Sequence, residues 1–226
     1  MTEQKAFRVE TLIHAPLETV WQALTEPDRI RKWFGWDYDG IEAEIRYIFV
    51  DHAQHVPDEH RIVLEEDQEI QLSADGPERT VVRVVCGGAA ADERYDGVEE
   101  GWRTFLEQLR FWLEREGVRS RRTVYLTGSA NAAMVRDSLQ TTGTQIWHTS
   151  RFQHILVDTD GHLVAISAEQ PLDTAEPVGT GPVAVTVSAY GVDDAAFAGL
   201  SKEWAVLWEM LARDVEVVTT CGDAEG

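Results

Sequence analysis

Phe7 and Val9 alternate with Arg8 and Glu10, a period of two that predicts a strand over residues 7–14 with one buried face, closed by Ala15-Pro16. From Leu17 the apolar positions Val20, Trp21 and Leu24 step by three and four, which predicts a helix opened by Pro16. Thr25-Glu26-Pro27-Asp28 reads as the cap of a second helix that carries Ile30, Trp33 and Phe34 and stops at Gly35. The spacing then shortens: residues 41–50, 61–64, 69–72 and 80–85 are runs between polar or Gly/Pro turns, the pattern of an antiparallel meander. Residues 52–60, polar and holding Pro57, read as a loop between strands. After Gly97 the period returns to the helical one, with Val98, Trp102, Phe105, Leu106, Leu109, Trp112 and Leu113 on one face as far as Glu116, and Gly117 as the stop.

The order then recurs in reduced form. Residues 123–126 read as a strand, 130–139 as a short helix, and 144–149, 152–157 and 163–168 as strands, with Asp160-Gly161 as a hairpin turn. A Pro/Gly-rich connector, 171–182, leads to a strand at 183–189 and a last helix with Phe197, Leu200, Trp204, Leu207, Trp208 and Leu211 on one face. The two long helices are entered by similar residues, Tyr95-Asp96-Gly97-Val98 and Tyr190-Gly191-Val192-Asp193, which together with the equivalent element order predicts an internal duplication. The boundary is expected between Gly117 and Ser120, giving domains 1–118 and 119–226.

Composition narrows the partners. The 226 residues carry 40 acidic and 20 basic side chains, a formal charge of −20, with no local Lys/Arg block, so neither nucleic acid nor an anionic membrane surface is an expected partner. The opening Met1-Thr2-Glu3-Gln4-Lys5 has no apolar signal region and no long apolar run follows, so the chain is expected to stay in the cytoplasm. Cys86 and Cys221, one in a predicted strand and one in a tail that reads as loose, predict neither a disulfide nor a cysteine metal site.

Three stretches carry a resemblance: His14-Ala15-Pro16-Leu17-Glu18-Thr19-Val20-Trp21-Gln22-Ala23-Leu24-Thr25, the helix with Arg31-Lys32-Trp33-Phe34, and 97–114 with its Gly101-Trp102 pair. As an ordered set over most of residues 6–116 they resemble the activator-of-heat-shock-protein-ATPase homologue branch of the SRPBCC superfamily, the StAR-related lipid-transfer-like and birch-pollen-allergen-like proteins. The resemblance implies an α+β helix-grip fold, a curved antiparallel sheet around a long C-terminal helix with an apolar cavity between them. It also implies binding of a hydrophobic small molecule, a chaperone-linked role, or polyketide cyclase activity. The second half matches more weakly and lacks the Trp-Phe segment, so it is expected to be a diverged, reduced unit.

Bulky aromatic walls bury ligand area and leave indole N–H and phenol groups to orient it, so Trp33, Phe34, Trp36, Tyr47, Trp102, Phe105 and Trp112 are the candidate ligand-binding residues. On the helices the ordinary role of such a stripe is core packing; Trp33 and Trp36, at a helix end near a turn, stand out from it. His52, His55 and His60 share a loop with Asp51, Asp58 and Glu59, but in no strong metal spacing, and a solvated acidic loop is expected. Signatures of nucleophilic, nucleotide or zinc catalysis do not occur. No cofactor and no catalytic residue is assigned; a cyclase-type enzyme would draw on His14, Tyr38, Arg46 or Tyr47. The first expectation is a binder of a hydrophobic small molecule. The competing one is a protein-interaction module whose partner is a chaperone or another copy of the chain.

Overall fold

The structure, a computed structural model, describes residues 5–65, 67–87, 94–117, 119–140, 144–172 and 179–219. The chain divides into two compact units, residues 1–35 with 40–118, and residues 36–39 with 119–226.

In the first unit, β1 (Phe7–Ile13) buries Phe7, Val9, Thr11 and Ile13 and exposes Arg8 and Glu10, as its alternation requires. α1 (Leu17–Thr25), α2 (Pro27–Ile30) and α3 (Ile41–Arg46) follow. β2 (Gln54–Val56), β3 (Arg61–Val63), β4 (Gln68–Ala74) and β5 (Thr80–Cys86) complete a sheet of order β1-β5-β4-β3-β2. β5 closes the sheet on β1 in antiparallel register, Phe7 opposite Cys86 and Ile13 opposite Thr80. The long helix α4 (Gly97–Phe111) is capped by Asp96, whose carboxylate accepts from the N–H groups of Val98 and Glu99. α4 runs along β1 in the same direction, tied by Lys5 to Glu99 (2.9 Å), Thr11 to Glu107 (3.0 Å) and His14 to Glu114 (3.0 Å).

The second unit repeats this plan. β6 (Arg121–Ala130), α5 (Ala132–Leu139), β7 (Gln145–Thr149), β8 (Gln153–Val157), β9 (Leu163–Ala168) and β10 (Gly181–Tyr190) lead to α6 (Asp194–Leu211), capped by Asp193. Again the last strand before the long helix pairs with the first of the unit, β10 with β6, and β11 (Arg213–Thr219) adds an outer strand, giving the order β11-β6-β10-β9-β8-β7. Each unit is therefore an antiparallel sheet gripping a long C-terminal helix, and the fold is α+β with two tandem units.

The structure departs from the sequence expectation in four places. Residues 41–50 are not a strand: Ile41, Ile45 and Phe49 are buried at four-residue steps, so the segment winds as α3 and continues into a wide π turn, Tyr47–Asp51, closed by the His52 N–H on the Tyr47 carbonyl. The β-branched and aromatic content there suggested a strand; burial on one helical face overrode it. Residues 52–60 hold β2 and a turn of 3₁₀ helix, Pro57–Glu59, instead of a bare loop, because β2 extends the sheet beyond β3. The helix bearing Ile30 ends at that residue, and the chain reaches Trp33 and Phe34 through tighter turns. The tail after α6 is strand β11 up to Thr219; Cys221 lies outside the described residues, as does the 173–178 part of the connector.

Gly128 on β6 is what lets β11 turn in so close after α6. A Cβ there would meet the Arg213 carbonyl oxygen at 2.8 Å and the Ala212 Cβ at 3.1 Å, with the Trp208 indole nitrogen at 3.4 Å. Backbone cannot yield as a flexible side chain would, so Gly128→Ala is expected to cost about 1–3 kcal/mol, read as a lower urea midpoint. An unchanged midpoint would mean that β11 moves aside freely.

Candidate functional site

In the first unit α1, α2 and the turn after α3 deliver aromatic rings to the α4 side of the sheet. Trp33 is 0% exposed and its indole N–H donates to the Ala23 carbonyl of α1 at 2.9 Å. Phe34 lies 5.0 Å from Phe49 and 4.7 Å from Phe105 between ring centroids, and Trp102 meets Phe105 at 6.2 Å, mostly edge-on or tilted. These are the separations at which aromatic quadrupoles attract. Trp33, Phe34, Trp102 and Phe105 thus come together, and Phe49 joins them. Phe49 was missed by the sequence reading, although its four-residue spacing from Ile45 was the available signal.

Polar groups are built into the same helix–sheet contact. Trp102 donates its indole N–H to Gln68 of β4 at 2.6 Å. The Thr11 hydroxyl of β1 donates to Glu107 at 3.0 Å, and Arg110 pairs with the other Glu107 oxygen at 2.8 Å. Gln108, also buried, reaches the Gly35 carbonyl at 3.5 Å. Gly35 takes φ +58°, the left-handed region that glycine enters without strain, and this reverses the chain directly after Phe34. Trp112 begins a second π turn, Trp112–Glu116, closed by the Gly117 N–H on its carbonyl. It is 5% exposed, and its indole N–H has no acceptor among the described residues. A buried donor left unpaired costs about 1–3 kcal/mol.

Two of the candidate residues stand elsewhere. Trp36 belongs to the second unit, where its ring stacks on Tyr125 of β6, centroids 3.9 Å apart and planes 8° from parallel. Tyr47 is 49% exposed; its hydroxyl donates to Glu65 at 2.8 Å, and His52 meets the other Glu65 oxygen at 2.7 Å. The Tyr47 hydrogen bond, with His52 assisting, holds the Glu65 carboxyl below its ordinary value. Of the residues a cyclase would draw on, His14 and Arg46 are exposed and paired with Glu114 and Asp51. Tyr38 is exposed beside Trp36. His55 approaches the Phe49 carbonyl, and its ring and that of His60 stand edge-on to Trp21. Among the described residues no group of three or more His, Cys, Asp or Glu side chains is placed to hold a metal ion.

Burial also sets opposite pH responses in the two units. It raises the Glu100 carboxyl of α4 above its ordinary value, against the pull of the Arg103 guanidinium. The unfolded chain therefore releases this proton first. The contribution of Glu100 to stability is present below pH 4.5 and is lost as pH rises through the raised folded value. Burial, aided by Arg136, lowers His154 of β8, whose Nε2 lies 2.8 Å from the Gln140 amide nitrogen and accepts its proton when the ring is neutral. That contribution is present above pH 6.5 and is lost as pH falls through the lowered folded value. Thermal unfolding across pH should show Glu100→Gln gaining stability on wild type towards neutral pH. His154→Gln should lose the acid-side decline. Parallel wild-type and variant curves would rule out these two groups as the source.

Strand first, helices, a meander that closes on the first strand and a long helix laid against it: this arrangement defines a helix-grip protein. Residues 14–114 match the model of the family described as Activator of Hsp90 ATPase homolog 1-like protein, so this segment of the first unit is similar to that branch of the SRPBCC superfamily. No curated protein matches the sequence. Solved structures similar to it include DynU16, a protein in the dynemicin biosynthetic locus, at 18% identity over 91% of this chain and 96% of that one, with a TM-score of 0.34. The di-domain ARO/CYC BexL from the BE-7585A biosynthetic pathway is 13% identical over 92% of this chain and 94% of its own, TM-score 0.38. The di-domain ARO/CYC StfQ from the steffimycin biosynthetic pathway is 12% identical over 86% and 87%, TM-score 0.35. No described helix is long and apolar enough to cross a membrane.

Proposed function

We propose that the first unit binds a hydrophobic small molecule between α4 and its sheet. The observation that carries this reading is the polar content of the grip. Glu107 of α4 and Thr11 and Gln68 of the strands are buried at the helix–sheet contact, where an element that only packs would present aliphatic side chains. Ligand sites have this composition, an apolar wall with a few convergent polar groups. The family match over residues 14–114 spans α1 through the whole of α4 and supports the same assignment. Trp102 and Phe105 would form the wall, with Trp33 and Phe34 behind them. Native mass spectrometry of the purified full chain, followed by organic extraction, tests it: a co-purifying apolar molecule released by solvent is expected. A chain that carries nothing and takes up no apolar probe would sink the proposal.

A second reading, a module that associates with another copy of the chain, is favoured by the apolar side chains that α6 and β11 leave in solvent. Met210 is 78% exposed, and Val206 and Val217 are also exposed. Light scattering over a concentration series, with Met210→Glu as the control, decides it. A mass independent of concentration counts against self-association.

A further inference from the structure

We propose that the bound molecule carries a neutral oxygen acceptor, a carbonyl or ether on an otherwise apolar body, and that Trp112 is the residue that reads it. This rests on the first unit being a ligand-binding grip. The buried indoles of that unit differ in one respect: Trp33 donates to the Ala23 carbonyl and Trp102 to Gln68, whereas the Trp112 N–H has no acceptor among the described residues. Trp112 follows Phe105 and Leu109 at helical steps of four and three, so it extends the α4 face that carries the ring wall. It sits where the helix widens into a π turn, a feature that recurs at functional sites.

The chemistry of the group selects the class of ligand. Indole nitrogen is a donor only, so its partner must be an acceptor. The buried ionisable side chains of α4 are the carboxylates Glu100 and Glu107, which Arg103 and Arg110 already face; the helix buries no cation that would offset the desolvation of an anionic acceptor. A neutral oxygen satisfies the N–H without that penalty, whereas a pure hydrocarbon leaves it as it stands.

The test uses the full chain and two probes of nearly equal shape, acetylnaphthalene, which has a ketone, and isopropenylnaphthalene, which has none. Wild type is expected to bind the ketone about three- to tenfold more tightly, the worth of one net hydrogen bond. Trp112→Phe should bind both probes equally, at the affinity wild type has for the alkene. In nuclear magnetic resonance the Trp112 indole N–H signal should move downfield with the ketone and not with the alkene. This readout needs no variant to fold, and a purely structural tryptophan would not produce it. Equal affinities in wild type, or a preference that survives Trp112→Phe, would overturn the role of Trp112 while leaving the binding grip in place. Failure of wild type to bind either probe would remove the grip itself.

Discussion

Trp33→Ala is expected to lower the unfolding free energy of the first unit by about 3–5 kcal/mol, the range for emptying a fully buried aromatic site. Trp33 is completely enclosed, edge-on to both Phe34 and Phe49 at 5.8 and 6.0 Å, and its N–H satisfies the Ala23 carbonyl. Truncation removes the ring contacts, opens a cavity that α1 and the Tyr47–Asp51 turn fill only in part, and strips the carbonyl of its donor. Trp33→Phe keeps most of the volume and loses the hydrogen bond, so it should cost about 1–2 kcal/mol. Hydrogen exchange read by mass spectrometry should show lost protection in α1, β1 and α4, while peptides from 119–219 keep theirs. A Trp33→Ala chain with wild-type protection in α1 would mean that the cluster does not hold the first unit together.

Asp37→Ala should produce the opposite distribution, although Asp37 is an early residue. Asp37 is 0% exposed, and its carboxylate accepts the Thr123 backbone N–H of β6 at 2.8 Å while its own N–H donates to the Thr123 hydroxyl at 2.6 Å. Alanine leaves the buried Thr123 N–H without its acceptor, which is expected to cost about 2–4 kcal/mol because the lost bond is charge-assisted and desolvated. Asp37→Asn retains an acceptor oxygen and should fall between alanine and wild type. The loss of protection should appear in β6 and β10 and spare β1, β4 and β5. Loss confined to the first unit would refute the assignment of residues 36–39 to the second.

Much of the architecture is legible in the chain because it rests on local period. The alternation of Phe7 and Val9 with charged neighbours is the burial pattern of β1, and Trp102, Leu106 and Leu109 of the predicted stripe are buried on α4; Val98 is exposed, while the charged Glu100 and Glu107 are buried, which the helical period alone does not give. Asp96 and Asp193 stand before the two long helices and cap them both. The last helix shows the limit of this reading. Its apolar stripe is plain in the sequence, yet only Phe197 and Trp208 are fully buried, with Leu200, Trp204 and Leu211 partly covered. Periodicity defines which face turns inward, not how deeply the helix seats.

Phe34 and Trp36 mark the same boundary at the level of single residues. Both are large aromatics next to Gly35, and by sequence both suit one cluster. The chain reversal at Gly35 sends Phe34 against Phe49 and Phe105 and Trp36 against Tyr125, in different units. By itself the sequence determined the type and order of most elements and the general inward face of β1 and of the two long helices, since each follows from neighbours within a few positions. Only the tertiary structure decided which core each aromatic entered, that residues 41–51 would wind as a helix and that the tail would pair with β6. Those outcomes depend on contacts between positions far apart in the chain, whose energies no local pattern carries.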